Sequence, residues 1–398
     1  MPPATEAITL RPLQLDEALS LAVQSSPQLS EADATVNRAQ AGLQTARAYT
    51  NPSVEFLGGH QDARAISTPG VPGSTWRTAA SQTVEIPRER RTRLHTARLD
   101  LIGNNFRRSG VRLSVEADVK HAFFDVIRRK QQLAHSKDNL ALVEDLRRRV
   151  RLEVEVGEKG KLELTRAEAE LARAHAAVRN ADVQLANARA ILKVAIGVSS
   201  DDLFDAEGSL SSTVTFAPLS ELRPQVLSNH PALSEAQVLT ARSTATVEHE
   251  RAKRIPAPNF TAEYERQPDV TYYRFGVNIP LPLWDKRKGQ IAEAQAEVSR
   301  SQALARQRQL EVTSALERAY DQYKISNQQV EGLEAGSLRE AEAAVEAARN
   351  AYKFGERGIV EVLDAQRVLQ GVRSDLLDAM FARQSALIDL EELGVKHQ

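Results

Sequence analysis

A chain of 398 residues, 42% hydrophobic but only 5% aromatic, has the length to bury a core, and its wealth of Ala, Glu, Arg, Gln and Leu points to long helices. Its formal net charge of -1 excludes a nucleic-acid track and leaves no basic excess for an anionic membrane surface. Without cysteine there is no disulfide, no thiolate metal site and no lipid-bearing N-terminal cysteine in this form of the chain.

Met1 to Ala7 shows no basic start followed by an apolar stretch, so a signal peptide is read as absent or already removed. No run of about 18 apolar residues supplies a transmembrane helix. Apolar and Ala positions at helical spacing predict a helix of about 35 residues from Leu15 to Tyr49, stopped by Asn51-Pro52. Strands are expected at about 53–61 and 76–87, where Val54 and Phe56 oppose Glu55, and Trp76, Val84 and Ile86 oppose Arg77, Ser81 and Glu85. A proline-free run over 88–156, with Val115, Val119, Phe123, Val126 and Val150 recurring at threes and fours, predicts one helix spanning roughly 100 Å. Gly157-Glu158-Lys159-Gly160 then turns the chain back into a helix over 160–197.

The second half repeats this order: a helix over 219–255, strands at about 258–266 and 271–281, a long helix over 285–354 and a last helix over 359–393. Pro27-Gln28-Leu29-Ser30-Glu31-Ala32 returns as Pro231-Ala232-Leu233-Ser234-Glu235-Ala236, and the glycine turn returns as Gly355-Glu356-Arg357-Gly358, both about 200 residues later. Residues 1–204 and 205–398 are therefore read as two structural repeats. In the later strands, Phe260, Ala262 and Tyr264 oppose Thr261, Glu263 and Glu265, while Tyr273, Phe275, Val277, Ile279 and Leu281 share one apolar face. Two hairpins of about 10-residue strands cannot close a barrel, but three chains supply about 12 strands of the length that crosses a tilted bilayer. Trp76 and Trp284 would then lie near the bilayer interfaces.

This duplicated layout, with Tyr352-Lys353-Phe354-Gly355-Glu356-Arg357-Gly358-Ile359-Val360-Glu361-Val362-Leu363-Asp364-Ala365, resembles the TolC family of bacterial outer-membrane efflux channels over nearly the whole chain. The resemblance implies a mainly α fold with a small β part: a homotrimer forming an α-helical barrel in the periplasm joined to a 12-stranded transmembrane β-barrel in outer-membrane lipid, four strands per chain. Val277-Asn278-Ile279-Pro280-Leu281-Pro282-Leu283-Trp284-Asp285-Lys286-Arg287 is similar to the CzcC and CusC heavy-metal branch, which works with a periplasmic adaptor and a proton-driven inner-membrane RND pump. Val84-Glu85-Ile86-Pro87-Arg88-Glu89-Arg90-Arg91 departs from the Gly-rich version of that branch, so drug efflux and type I secretion stay open as alternatives.

Glu361 and Asp364, three apart on one helix face, would form a ring of carboxylates in a trimer and gate cations. The resemblance gives Arg357 and Tyr352 the role of holding the tip closed, with Glu163 as their partner. The turns at Gly157, Gly160, Gly355 and Gly358 are the expected adaptor contacts. Glu55, Glu85, Glu263 and Glu265 are expected as lumen acids, partly offset by Arg77 and Arg274. His60, His95, His121, His135, His175, His230, His249 and His397 are scattered, and the only non-initiator methionine is Met380, so no metal site is assigned. No cofactor, nucleophile elbow, phosphate loop or metal-protease helix is present, and no catalysis is expected. A soluble coiled-coil scaffold is the rival from another class, and it requires a purely helical protein.

Overall fold

The computed structural model describes residues 11–62, 71–198, 204–211 and 213–396; His397 and the segment Met1 to Ala7 lie outside the described residues. The first half runs β1 (Arg11–Leu13), α1 (Leu15–Ser25), α2 (Pro27–Arg47), β2 (Ser53–Gln61), β3 (Gly73–Thr83), α3 (Pro87–Glu155) and α4 (Lys161–Ile196). The second runs β4 (Phe204–Ala206), α5 (Leu219–Asn229), α6 (Pro231–Ala252), β5 (Asn259–Arg266), β6 (Thr271–Asn278), α7 (Lys288–Gly332), a π-helical turn (Leu333–Ser337), α8 (Leu338–Lys353) and α9 (Ile359–Glu392).

Two expected helices are each divided in the structure. The breaks fall at Ser26-Pro27 and His230-Pro231, the repeated motif itself, because proline has no N–H to donate and drives the preceding residue out of the α region. Ser26 and His230 take the same extended conformation, and each N–H closes the helix before it, on Ala22 O and Val226 O, both at 2.9 Å. The 69-residue helix expected from the proline-free run is continuous. Its counterpart begins at Lys288 rather than 285, since Asp285 Oδ1 accepts the Arg287 N–H at 2.7 Å and Arg287 turns left-handed (φ 53°). That counterpart also contains the π turn, a local widening that absorbs a residue without ending the helix.

The strand limits shift for similar reasons. β3 ends at Thr83 opposite Asn259, beyond which Pro258 offers no N–H; Val84 N–H reaches Pro258 O at 2.9 Å instead. β6 ends at Asn278 ahead of Pro280 and Pro282. The two hairpins are not isolated, because β3 and β5 pair and give one antiparallel sheet in the order β2-β3-β5-β6. The short parallel pair of β1 and β4 was not expected; three residues are too few to carry a period.

The described residues divide into two units, each drawing equivalent segments from both halves. The unit of Ala32–Arg108 and Pro231–Arg308 holds the four-stranded sheet, and its helices bury small residues such as Ala39, Ala46, Ala236, Ala245 and Ala252. The other unit comprises the chain up to Glu31, Ser109–His230 and the chain from Gln309. Its core buries the expected stripe Val115, Val119, Phe123 and Val126 against Leu185, Leu192 and Ile196 of α4 and Leu13 of β1. Each such side chain contributes about 1.5–3 kcal/mol. Arg383 of α9 is 4% exposed, and among the described residues its acceptors are neutral, Leu210 O, Thr213 Oγ1 and Asn327 Oδ1, each at 3.3 Å, so it pins the segment after β4.

Asp205 of β4 accepts from Lys130 of α3 at 2.7 Å and Arg189 of α4 at 2.8 Å. Burial pushes its carboxyl up, but the two cations outweigh burial and hold it below the usual range. A depressed folded-state pKa contributes stability that is present above the unfolded value and lost as pH falls through the folded one. Asp205→Asn should therefore lower the melting temperature at pH 7, and the difference from the parent should close below about pH 4, as followed by thermal melts across pH.

Candidate functional site

The sheet has two chemically opposite faces. Cross-strand register aligns Phe56, Thr78, Tyr264 and Tyr273 on one side, with Val54, Ala80, Ala262 and Phe275 in the next row. This apolar side is the open one: Tyr273 is 73% and Phe275 86% exposed. A strand covering a soluble core would show the reverse. Trp76, on this side, lays its ring over Gly58, and Trp284 in the loop after β6 is 93% exposed.

The opposite face carries the ions. Glu55, Glu263 and Arg274 stand in one cross-strand row, and Arg77 lies opposite Glu265 in the next. Glu263 binds Arg77 at 3.0 Å and Arg274 at 2.7 Å, while Arg274 also reaches Glu265 at 2.6 Å. Glu55 is exposed. Glu85 sits apart from these, two residues past the end of β3, where Arg93 of α3 grips its carboxylate, the second contact being 3.1 Å. The Arg93 guanidinium holds the Glu85 carboxyl below its usual range despite partial burial. Arg93 also caps the end of α2 through Ala46 O and Ala48 O, both at 3.1 Å.

In the other unit, the two glycine turns are built alike. Gly157 and Gly355 take left-handed φ of 84° and 75°, and the following N–H closes back five residues, Glu158 onto Glu153 O at 2.8 Å and Glu356 onto Ala351 O at 2.9 Å. Gly160 and Gly358 are the extended residues that start α4 and α9. Leu146 and Val150 of α3, Ala167 of α4, Tyr352 of α8 and Ile359, Val362 and Leu363 of α9 form one buried cluster behind both turns. Leu162 and Phe354 at the turns are exposed.

The expected gate residues lie around this cluster, but neither Tyr352 nor Arg357 meets Glu163. Tyr352 Oη donates to Glu153 of α3, not to Glu163. Burial and this carboxylate push the phenol well above its usual range, so it stays a donor. Glu163 Oε2 is buried and finds no hydrogen-bond partner. Asp364 binds Arg367 at 2.9 Å, and Arg367 reaches Glu170 of α4 at 2.9 Å, tying α9 to α4. Glu361 and Arg357 are exposed, and among the described residues neither side chain has a hydrogen-bond or ion-pair partner. Sequence reasoning missed Glu153, Glu170 and Arg367; the three-residue step from Asp364 to Arg367 was the available signal. Among the described residues no helix is long and apolar enough to cross a membrane, and no three His, Asp or Glu side chains gather as a metal site.

The model of the family described as outer membrane efflux protein matches residues 18–198 and 222–394. The cobalt-zinc-cadmium resistance protein CzcC of Cupriavidus metallidurans is 25% identical over 387 residues, covering 96% of this chain and 90% of that one. The pyoverdine export outer membrane protein OpmQ of Pseudomonas aeruginosa is 23% identical over 407 residues, covering 95% and 84%. The crystal structure of CusC matches the fold with a TM-score of 0.83 at 19% identity, covering 96% of this chain and 92% of that one.

The turn geometry separates the four glycines. Gly157→Ala and Gly355→Ala should each lose about 1–2 kcal/mol, because a Cβ is strained at their φ. Gly160→Ala, at an ordinary φ of -80° with open space around it, should melt as the parent does. Differential scanning fluorimetry of the three variants distinguishes these outcomes.

Proposed function

This chain belongs to the outer membrane efflux protein family and is an outer-membrane efflux channel of that type, and we propose that it is the exit duct of a tripartite, proton-driven system expelling divalent heavy-metal cations. The single observation that carries the membrane reading is the four-stranded sheet with its apolar face outward and its ions on the other face. Four strands per chain become a closed barrel of about 12 in a homotrimer, with Trp76 and Trp284 at the lipid interfaces and Glu55, Glu263 and Glu265 facing the lumen. Glu85 acts at the sheet-helix junction through Arg93. The antiparallel sheet is incompatible with a purely helical scaffold.

The repeats 1–204 and 205–398 are supported by the recurring element order and by the two separate family matches. Glu361 and Asp364 form the gate ring, and the free side chains of Arg357 and Glu361 reach partners on neighbouring protomers. Tyr352–Glu153 and Arg367–Glu170 tie the two helical hairpins of each chain. The turns at Gly157, Gly160, Gly355 and Gly358 receive a periplasmic adaptor coupled to an inner-membrane RND pump, and the exposed Leu162 and Phe354 beside them supply apolar contact. The metal cargo is supported by the likeness to CzcC and by the acids of the gate; the likeness to OpmQ favours an organic exported molecule as the second reading.

Light scattering of the detergent-solubilised protein should give a trimer after micelle correction, and a detergent-independent monomer or dimer would overturn the channel. Deleting the gene should sensitise cells to cobalt, zinc or cadmium; sensitivity only to organic toxicants moves the cargo to the second reading. In planar bilayers, Arg357→Ala or Asp364→Ala should raise single-channel conductance, and an unchanged conductance removes the gate from these residues.

A further inference from the structure

A cavity of about 260 Å³ lies between α3, α8 and α9 beside the buried cluster of the turns. Leu146, Val362 and Gln366 line it from the buried side, and Arg149, Arg349 and Lys353 bring three cations to it. Position 366 belongs to the stripe Ile359, Val362, Leu363 and Leu369 that α9 buries, where an apolar residue is the ordinary choice. Gln366 is instead an amide only 5% exposed, and neither its Nε2 nor its Oε1 meets a hydrogen-bond partner in the chain. A buried amide in that condition is unfavourable unless a ligand or water completes it.

The lining defines what would complete it. Nε2 requires an acceptor and Oε1 requires a donor, so the occupant must offer both. Arg149 is already paired with Asp145 at 2.9 Å, but among the described residues Arg349 and Lys353 have no carboxylate partner. Three cations against one acid select an anion, and Asn350 in the same lining adds an amide. The volume falls below the roughly 300–1,000 Å³ of sites for drug-sized ligands, so the anion is small. We propose that this cavity binds a small oxyanion that carries its own proton, of the hydrogen phosphate class, with the Gln366 amide as its two-way hydrogen-bond partner and Arg349 and Lys353 as its counter-charges. The site does not depend on which cargo the channel carries.

Isothermal titration of the full-length, detergent-solubilised protein with inorganic phosphate at pH 7, in chloride buffer of matched ionic strength, tests the site. Saturable binding at one site per chain is expected. Sulfate, of similar shape but with no proton to donate to Oε1, should bind about tenfold more weakly. Gln366→Leu should weaken phosphate by at least about tenfold, and Arg349→Gln, an exposed change that leaves the core intact, should weaken both anions and flatten the salt dependence. Glycerol phosphate is the added arm: exclusion assigns the free anion, and equal binding assigns a phosphomonoester headgroup. No saturable heat, or equal affinities for phosphate and sulfate that Gln366→Leu leaves unchanged, means an adventitious ion only and overturns the proposal.

Discussion

Everything in this molecule has to accommodate a sheet that turns its apolar side away from its own chain. Tyr273 and Phe275 would each give up about 25 cal/mol for every Å² of apolar surface left in water, and β2 and β6 end the sheet with unpaired backbone groups. In hydrocarbon an unpaired backbone N–H or C=O costs several kcal/mol, so an open four-stranded sheet is no better placed in lipid. The proposed closure against other copies would remove both edges, and lipid would then cover the apolar side. The opposite face fits the same demand: Arg77 and Arg274 against Glu263 and Glu265 leave ions near balance where barrel curvature would crowd them.

The chain meets its other requirements by using one solution twice at the level of backbone and varying it at the level of side chains. Each half breaks its first helical stretch at an X-Pro step, and each reverses direction through a left-handed glycine followed by an extended glycine. The side chains on those equivalent frames differ. Tyr352, three residues before Gly355, corresponds to Val154, three residues before Gly157. The polar ties at the turns therefore run from α8 and α9 of the second half onto Glu153 and Glu170 of the first.

What could be read from the amino-acid sequence followed from periods and punctuation. The strand at Ser53–Gln61 and the helix ends beside Gly157 and Gly355 come where alternation or a glycine turn marks them. The divisions at Ser26-Pro27 and His230-Pro231 were legible in principle, but the apolar spacing continues across both prolines and masked them. The π turn and the pairing of β1 with β4 leave no periodic trace, since each depends on contacts made far along the chain. For the candidate site, sequence reasoning supplied the residues but not their partners. Glu153 and Glu163 lie on opposite sides of one turn, and only packing decides which of them Tyr352 reaches.

The relative strengths of the ties also decide how a gate built here can move. The exposed pair Arg367–Asp364 and its neighbour Glu170 contribute roughly 0.2–1 kcal/mol each after solvent screening. The Tyr352–Glu153 bond, half-buried and to a charged acceptor, contributes about 1.5–3 kcal/mol. Behind them, Val150, Ile359 and Val362 are almost wholly buried, and exposing even two would cost more than any single tie. Local unfolding of the turns is therefore the expensive route. The cheaper one keeps Leu146, Val150, Ile359 and Val362 packed within each chain; in the proposed trimer each tip would then move as a body against its neighbours, with Arg357 and Glu361, which have no partners among the described residues, as the contacts exchanged.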